Sequence, residues 1–170
     1  MPDPDSFSKQ ELWELLTDAA KNWLAHDGLW FLAVENKFGI ETAIELDREA
    51  WHGFAAIEAK RILKRLKIEA GGGIPALIKA FAYRMYAFIN EHEINQISPT
   101  HCIFKMKSCH VQDARKRKGL PDFPCQPVGL VEFSRFASTI DPRIETRCIA
   151  CPPDKHLEDE WCSWEFVIQE

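Results

Sequence analysis

Four cysteines towards the C-terminus, Cys125, Cys148, Cys151 and Cys162, have the spacing of metal ligands. Cys148-Ile149-Ala150-Cys151 is a C-x-x-C pair, Pro152-Pro153 turns the chain directly after it, and Cys162-Ser163-Trp164 returns a third thiol. Cys125 can supply the fourth. Structural zinc takes four soft or borderline ligands in a tetrahedron, with thiolate sulfurs at about 2.3 Å. The same thiols suit an iron–sulfur cluster, which the sequence does not separate from zinc. The competing account is that each cysteine is a small apolar side chain in a core. A C-x-x-C pair running into Pro-Pro is a turn rather than a packing position, which favours the metal. Pro127 can start a helix just after Cys125, and a helix N-terminus favours a thiolate by about 0.3–1 kcal/mol.

Three further groups surround this set. Cys109, paired with His110, is either a spare ligand, a reactive thiol or one end of a surface dipeptide. His156 lies between Cys151 and Cys162 and can replace one sulfur. Cys102 has no motif around it and receives no role.

Polar residues on apolar helical stripes are the second chemical signal, because burying them without a partner is costly. Glu35 lies between Phe31 and Phe38, Glu58 shares a face with Trp51, Phe54 and Ile62, and Arg84 falls in the series Leu77, Phe81, Phe88. Either a buried Glu–Arg pair satisfies these charges, or they anchor a ligand in an apolar pocket. His26-Asp27 beside Leu29-Trp30-Phe31 either joins that pocket or caps a helix. The basic run Arg115-Lys116-Arg117-Lys118 reads as a solvated loop, with a phosphate or nucleic-acid site as the alternative.

The first half of the chain reads as helices. Ser8 and Glu11 form a capping box, with Phe7 and Leu12 as its hydrophobic staple. Leu12, Leu16, Ala19, Ala20 and Trp23 follow at helical spacing, and His26-Asp27-Gly28 is expected to interrupt them. A short apolar helix from Leu29 to Phe38 should close at Gly39. A long helix then runs from Ile40 to about Leu66, with Ala43, Ile44, Ala50, Trp51, Phe54, Ile57 and Ile62 inward. Gly71-Gly72-Gly73 ends it, and Pro75 suits the first turn of a helix reaching about His92.

Beyond that point the pattern changes. Ile103 to Met106 alternates weakly, a basic loop follows, and a helix runs from Val128 to about Ser138. Ile144, Thr146, Cys148 and Ala150 alternate, as do Cys162, Trp164, Phe166 and Ile168, so both segments read as strands. The expected fold is α+β: an N-terminal helical layer packed on a small antiparallel sheet, with one C-terminal covering helix. We expect one domain over 1–170, with a helical half at 8–92 and a strand–helix–strand–strand half at 100–170 that carries the cysteine site.

At 170 residues the chain can bury about two-thirds of its unfolded surface, and a 46% hydrophobic content argues against disorder. A net charge of −5 argues against a general nucleic-acid binder. Met1-Pro2-Asp3-Pro4-Asp5 lacks the regions of a signal peptide, and no apolar run suggests a membrane span. A cytoplasmic protein is expected, where six cysteines are better read as thiols or metal ligands than as disulfides. A homodimer is compatible with these properties.

Three groups of segments together resemble an uncharacterised family of small bacterial and archaeal cytosolic proteins. They are His26-Asp27-Gly28-Leu29-Trp30-Phe31, then Ala114 to Pro121 with Phe123-Pro124-Cys125, then Ile140-Asp141-Pro142-Arg143-Ile144 through Trp164-Glu165-Phe166. The resemblance implies no activity. More distantly, the C-terminal half is similar to 4-vinyl-reductase-type ligand-binding domains and to L-2-amino-thiazoline-4-carboxylic acid hydrolases. In the ligand-binding group a cysteine before the covering helix, an acidic residue and two cysteines near the last strands hold zinc beside a pocket. That resemblance places Cys125 at the first position and Cys151 and Cys162 at the last two. Cys148 then stands where those domains have an acid, which would make the site all-sulfur and closed.

The preferred expectation is therefore a zinc protein with a structural cysteine site and a pocket for a small molecule, aromatic or carboxylate. Its pocket residues would be His26, Glu35, Glu58 and Arg84. The alternative is a metal-dependent hydrolase, with Glu35 or Glu58 as general base and Arg84 holding a substrate carboxylate. Zinc activates water only with a free coordination position, which four cysteines would close.

Overall fold

The computed structural model describes residues 3–155 and 159–169. Helix α1 (Lys9–Phe38) opens on the expected capping box: Glu11 N donates to Ser8 Oγ at 3.2 Å, and Ser8 N donates to Glu11 Oε2 at 2.7 Å. The expected break at His26-Asp27-Gly28 does not occur. One interior glycine costs a helix only about 1 kcal/mol, and packing on both sides of it holds the helix through. Trp23 stacks on Phe54 at 5.5 Å, and Phe31 meets Phe123 edge-on at 4.9 Å. The chain turns instead at Gly39, whose φ of +88° a side chain would disfavour. Helix α2 (Ile40–Leu66) buries Trp51, Ala55, Ala59 and Ile62, while Ala50 and Ile57, expected inward, are exposed.

Helix α3 (Gly73–Phe81) stops well short of His92. Arg84 adopts an extended backbone, and its side chain and the following amide both reach Glu58 of α2. After a 3-10 turn at Met85–Phe88 the chain enters strand β1 (His92–Ser98), which the sequence reading had missed. Its side chains are mostly polar because it forms a sheet edge. Strand β2 (His101–Met106) follows, then helix α4 (His110–Arg117) where a basic loop was expected. Helix α5 (Gln126–Ile140) and strands β3 (Ile144–Ala150) and β4 (Cys162–Ile168) complete the chain, close to their expected bounds. The four strands lie in the order β1-β2-β4-β3, every pair antiparallel. The architecture is α+β, as expected.

Helix α5 lies against the sheet and carries α2 on its far side. Phe133 stacks on Trp164 at 4.8 Å and Phe136 stacks on Phe81 of α3 at 5.5 Å. The close approach requires Gly129, since a Cβ there would fall 2.7 Å from the Trp164 ring. A single core runs from Trp51 through Phe133 to Cys151 and Phe166, drawing on both halves of the chain.

Candidate metal centre and ligand cavity

Three elements bring the thiols together. Cys125 caps the N-terminus of α5, Cys148 lies in β3, Cys151 follows that strand, and Cys162 opens β4. In β3 the register shifts between Cys148 and Ala150: Cys148 pairs with Trp164, but Ala150 pairs with Ser163, so Ile149 is an extra residue. A bulge of this kind reverses side-chain parity beyond it. Cys148 and Cys162 already share the Trp164 face, and the bulge adds Cys151 to it. The bulge, rather than the turn at Pro152-Pro153, sets the side on which Cys151 lies.

Cys125 Sγ and Cys151 Sγ are 3.4 Å apart. Hydrogen bonds to Cys125 and Cys162, with burial, raise the pKa of Cys151. The same contact with Cys151, against the effect of burial, lowers that of Cys125. Gln112 Nε2 donates to Cys125 Sγ at 3.6 Å and Gln126 Nε2 to Cys148 Sγ at 3.7 Å, and burial raises the Cys148 thiol. As they stand, no three His, Cys, Asp or Glu side chains among the described residues form a ready metal cage. Sulfurs around tetrahedral zinc lie roughly 3.8 Å apart, from bonds of about 2.3 Å. The Cys125–Cys151 pair is within a few tenths of an ångström of that spacing.

Cys109 faces the same thiols from the start of α4, and burial pushes its pKa up to about 12. Burial thus disfavours the Cys109 thiolate, whereas the contact with Cys151 favours that of Cys125. Cys102 is buried in the core. His156 lies outside the described residues.

Cys109, Cys125, Cys151 and Cys162, with Cys148 outside the lining, form one wall of a cavity of about 460 Å³ between α1, α2, α4, α5 and the sheet. That size suits a small-molecule site, and its walls are largely apolar. Cys125, Gly129, Glu132 and Phe133 line it along one face of α5, from thiols at one end to a carboxylate roughly 10 Å away, at 1.5 Å per residue. Asp27 from α1 and Asp47 from α2 line it as well. Burial raises both acids, and the nearby Asp27 and Glu132 help push Asp47 to about 7.

None of the four residues expected in the pocket lines this cavity. His26 is exposed, although its neighbour Asp27 reaches the cavity. Glu35 accepts two bonds from Arg115, at 2.8 and 3.1 Å, and Arg115 also donates to Pro121 O. The first arginine of the basic run is thus buried. Arg84 lies between Glu58 Oε2 at 2.9 Å and Glu132 Oε1 at 2.7 Å, with the Phe136 ring 4.6 Å beneath it. Burial opposes its charge, but the two carboxylates outweigh that and hold it protonated. The Glu58–Arg84 pair forms as its apolar stripes suggest, and Arg84, with Nε and Nη2 taken by carboxylates, does not line the cavity.

Asp47, Glu132, Asn90 and Trp164 were not singled out in the sequence. Two of them had a usable signal: Asp47 shares the stripe of Ala43, Trp51 and Glu58, and Glu132 sits between Gly129, Phe133 and Phe136. Asn90 had none. Its Oδ1 accepts from the His110 amide at 3.0 Å and bonds His110 Nδ1 at 2.9 Å.

Among the described residues no helix is long and apolar enough to cross a membrane. Comparison with curated proteins and with solved structures returns no match. A family model described as a family of unknown function (DUF6125) matches residues 5–168, almost the whole chain, and the chain belongs to that family.

Proposed function

We propose that this chain is a small-molecule-binding protein whose ligand cavity is walled on one side by a structural zinc site of Cys125, Cys148, Cys151 and Cys162. The observation that carries the reading is the 460 Å³ apolar cavity with thiols at one end and carboxyls at the other. The donor chemistry fits zinc: four thiols arrive from three elements, and Cys125 is already biased towards thiolate. Zinc, when bound, supplies a closed cross-link between the start of α5, the end of β3 and the start of β4. Gathering the four sulfurs requires side-chain rotation, so ligation and local ordering are coupled. The hydrolase reading finds less support, because Glu35 and Glu58 are engaged by Arg115 and Arg84 and neither carboxylate lines the cavity.

Elemental analysis and an absorption spectrum of freshly purified protein test the metal. One zinc per chain in colourless protein is expected. Iron with visible absorption would replace zinc by an iron–sulfur cluster, and the absence of any stoichiometric metal would reduce the thiols to core side chains.

A further inference from the structure

The acidic end of the cavity has more negative groups than its surroundings balance. Asp27, Asp47 and Glu132 line it, and Glu58 stands behind Glu132 on Arg84. Arg84 is the one buried cation there, and Glu58 and Glu132 already occupy it. Asp27 and Asp47 have no hydrogen bond or salt bridge among the described residues. Of the cations on the cavity wall, Lys21, Arg117 and Lys118 are exposed and hydrated, and Arg115 is buried but held by both oxygens of Glu35. His110 is tied to Asn90, and the exposed His26 is the neighbour that acts on Asp27.

A second, independent observation indicates a polar occupant. Asn90 Nδ2 and Trp164 Nε1 are donors on residues 7% and 0% exposed, both residues line the cavity, and neither atom has a partner among the described residues. Buried donors without acceptors are costly, and a ligand acceptor removes that cost.

Resting on the ligand-cavity reading above, we propose that the cavity takes an organic ammonium, with its charge between Asp27 and Asp47 and an apolar body along Gly129 and Trp164. A hydrogen-bond acceptor on that body would meet Asn90 or Trp164. Trp51 and Tyr86, stacked at 5.9 Å, also line the cavity and add aromatic surface of the kind that attracts ammonium groups. Glu132 already accepts from Arg84, so Asp27 and Asp47 alone offer fewer oxygens than the six or more that calcium or magnesium takes.

The test compares three probes of one shape and different charge, tryptamine, tryptophol and indole-3-propionate, by calorimetric titration of the full chain with its metal. Tryptamine is expected to bind at least tenfold more tightly than either of the others. Asp27→Asn and Asp47→Asn, checked for folding by circular dichroism, are each expected to weaken tryptamine tenfold or more and leave tryptophol unchanged. Equal or tighter binding of tryptophol or indole-3-propionate would overturn the ammonium assignment and leave the cavity reading standing. Binding of none of the three would overturn both. The wild-type charge preference stands as a test even if a variant fails to fold.

Discussion

Cys125 Sγ and Cys151 Sγ lie 3.4 Å apart, joining the loop after β3 to the first turn of α5. If the set is a zinc site, Cys148→Ser or Cys162→Ser should strip the metal. Stability should fall by several kcal/mol, because structural zinc binding is coupled to folding. Cys109→Ser should retain metal. Metal analysis of the three variants decides it, and full metal in both Cys148→Ser and Cys162→Ser would remove the proposed site.

Replacing Arg84 by methionine leaves Glu58 and Glu132 buried without a counter-charge. A loss of about 3–5 kcal/mol is expected. Adding Glu58→Leu and Glu132→Leu should recover most of it, since an apolar set of similar volume needs no desolvated charge. Urea denaturation of the single and triple variants measures both, and no recovery would mean that the network does more than balance charge.

Two glycines should respond to alanine with opposite signs. At Gly129 the new methyl meets the buried Trp164 ring at 2.7 Å, so Gly129→Ala should destabilise by about 1–3 kcal/mol and shift the tryptophan emission. At Gly28, inside α1, nothing lies within 4 Å, and alanine should add about 0.5–1 kcal/mol. Thermal unfolding of both variants gives the signs directly.

The pH dependence should contain two opposed contributions. Asp47 binds its proton more tightly folded, near 7, than unfolded, near 3.8, so its contribution to stability declines as pH rises from about 4 to 7. Asp47→Asn should remove that slope, worth a few kcal/mol at most because water partly reaches the carboxyl. Asp141 is the reverse case. Bonds from Arg143, with the Gly73 amide, hold it at about 2, so its stabilisation is present above the unfolded value and lost as pH falls towards 2. Asp141→Asn should weaken the fold at neutral pH and flatten the acid limb. Denaturation midpoints between pH 2 and 8 separate the two, and an unchanged slope in Asp47→Asn would mean that its carboxyl is not desolvated.

Much of the fold is written locally. The Ser8–Glu11 box, the turn at Gly39, the span of α2 and the alternation in β3 and β4 depend on neighbours a few residues away, so a linear reading finds them. The thiols were legible for the same reason: C-x-x-C before Pro-Pro, a cysteine ahead of Pro127 and a cysteine opening a strand are short-range patterns.

The sequence by itself thus determined the class of fold, the candidate ligands and the likelihood that charged residues on apolar stripes would need partners. Only the tertiary structure decided who those partners are. Glu58 and Glu132 draw Arg84 out of the expected helix, packing of Trp23 and Phe31 carries α1 through Gly28, and pairing with β2 makes a strand of the polar segment 92–98. The bulge at Ile149 that turns Cys151 onto the face of Cys162 exists only because β3 pairs with β4. Asp27, Asp47 and Glu132 come from three separate helices and meet only when these pack around the cavity. Such contacts join residues far apart in the chain, and their energies depend on burial and charge proximity, which no local spacing specifies.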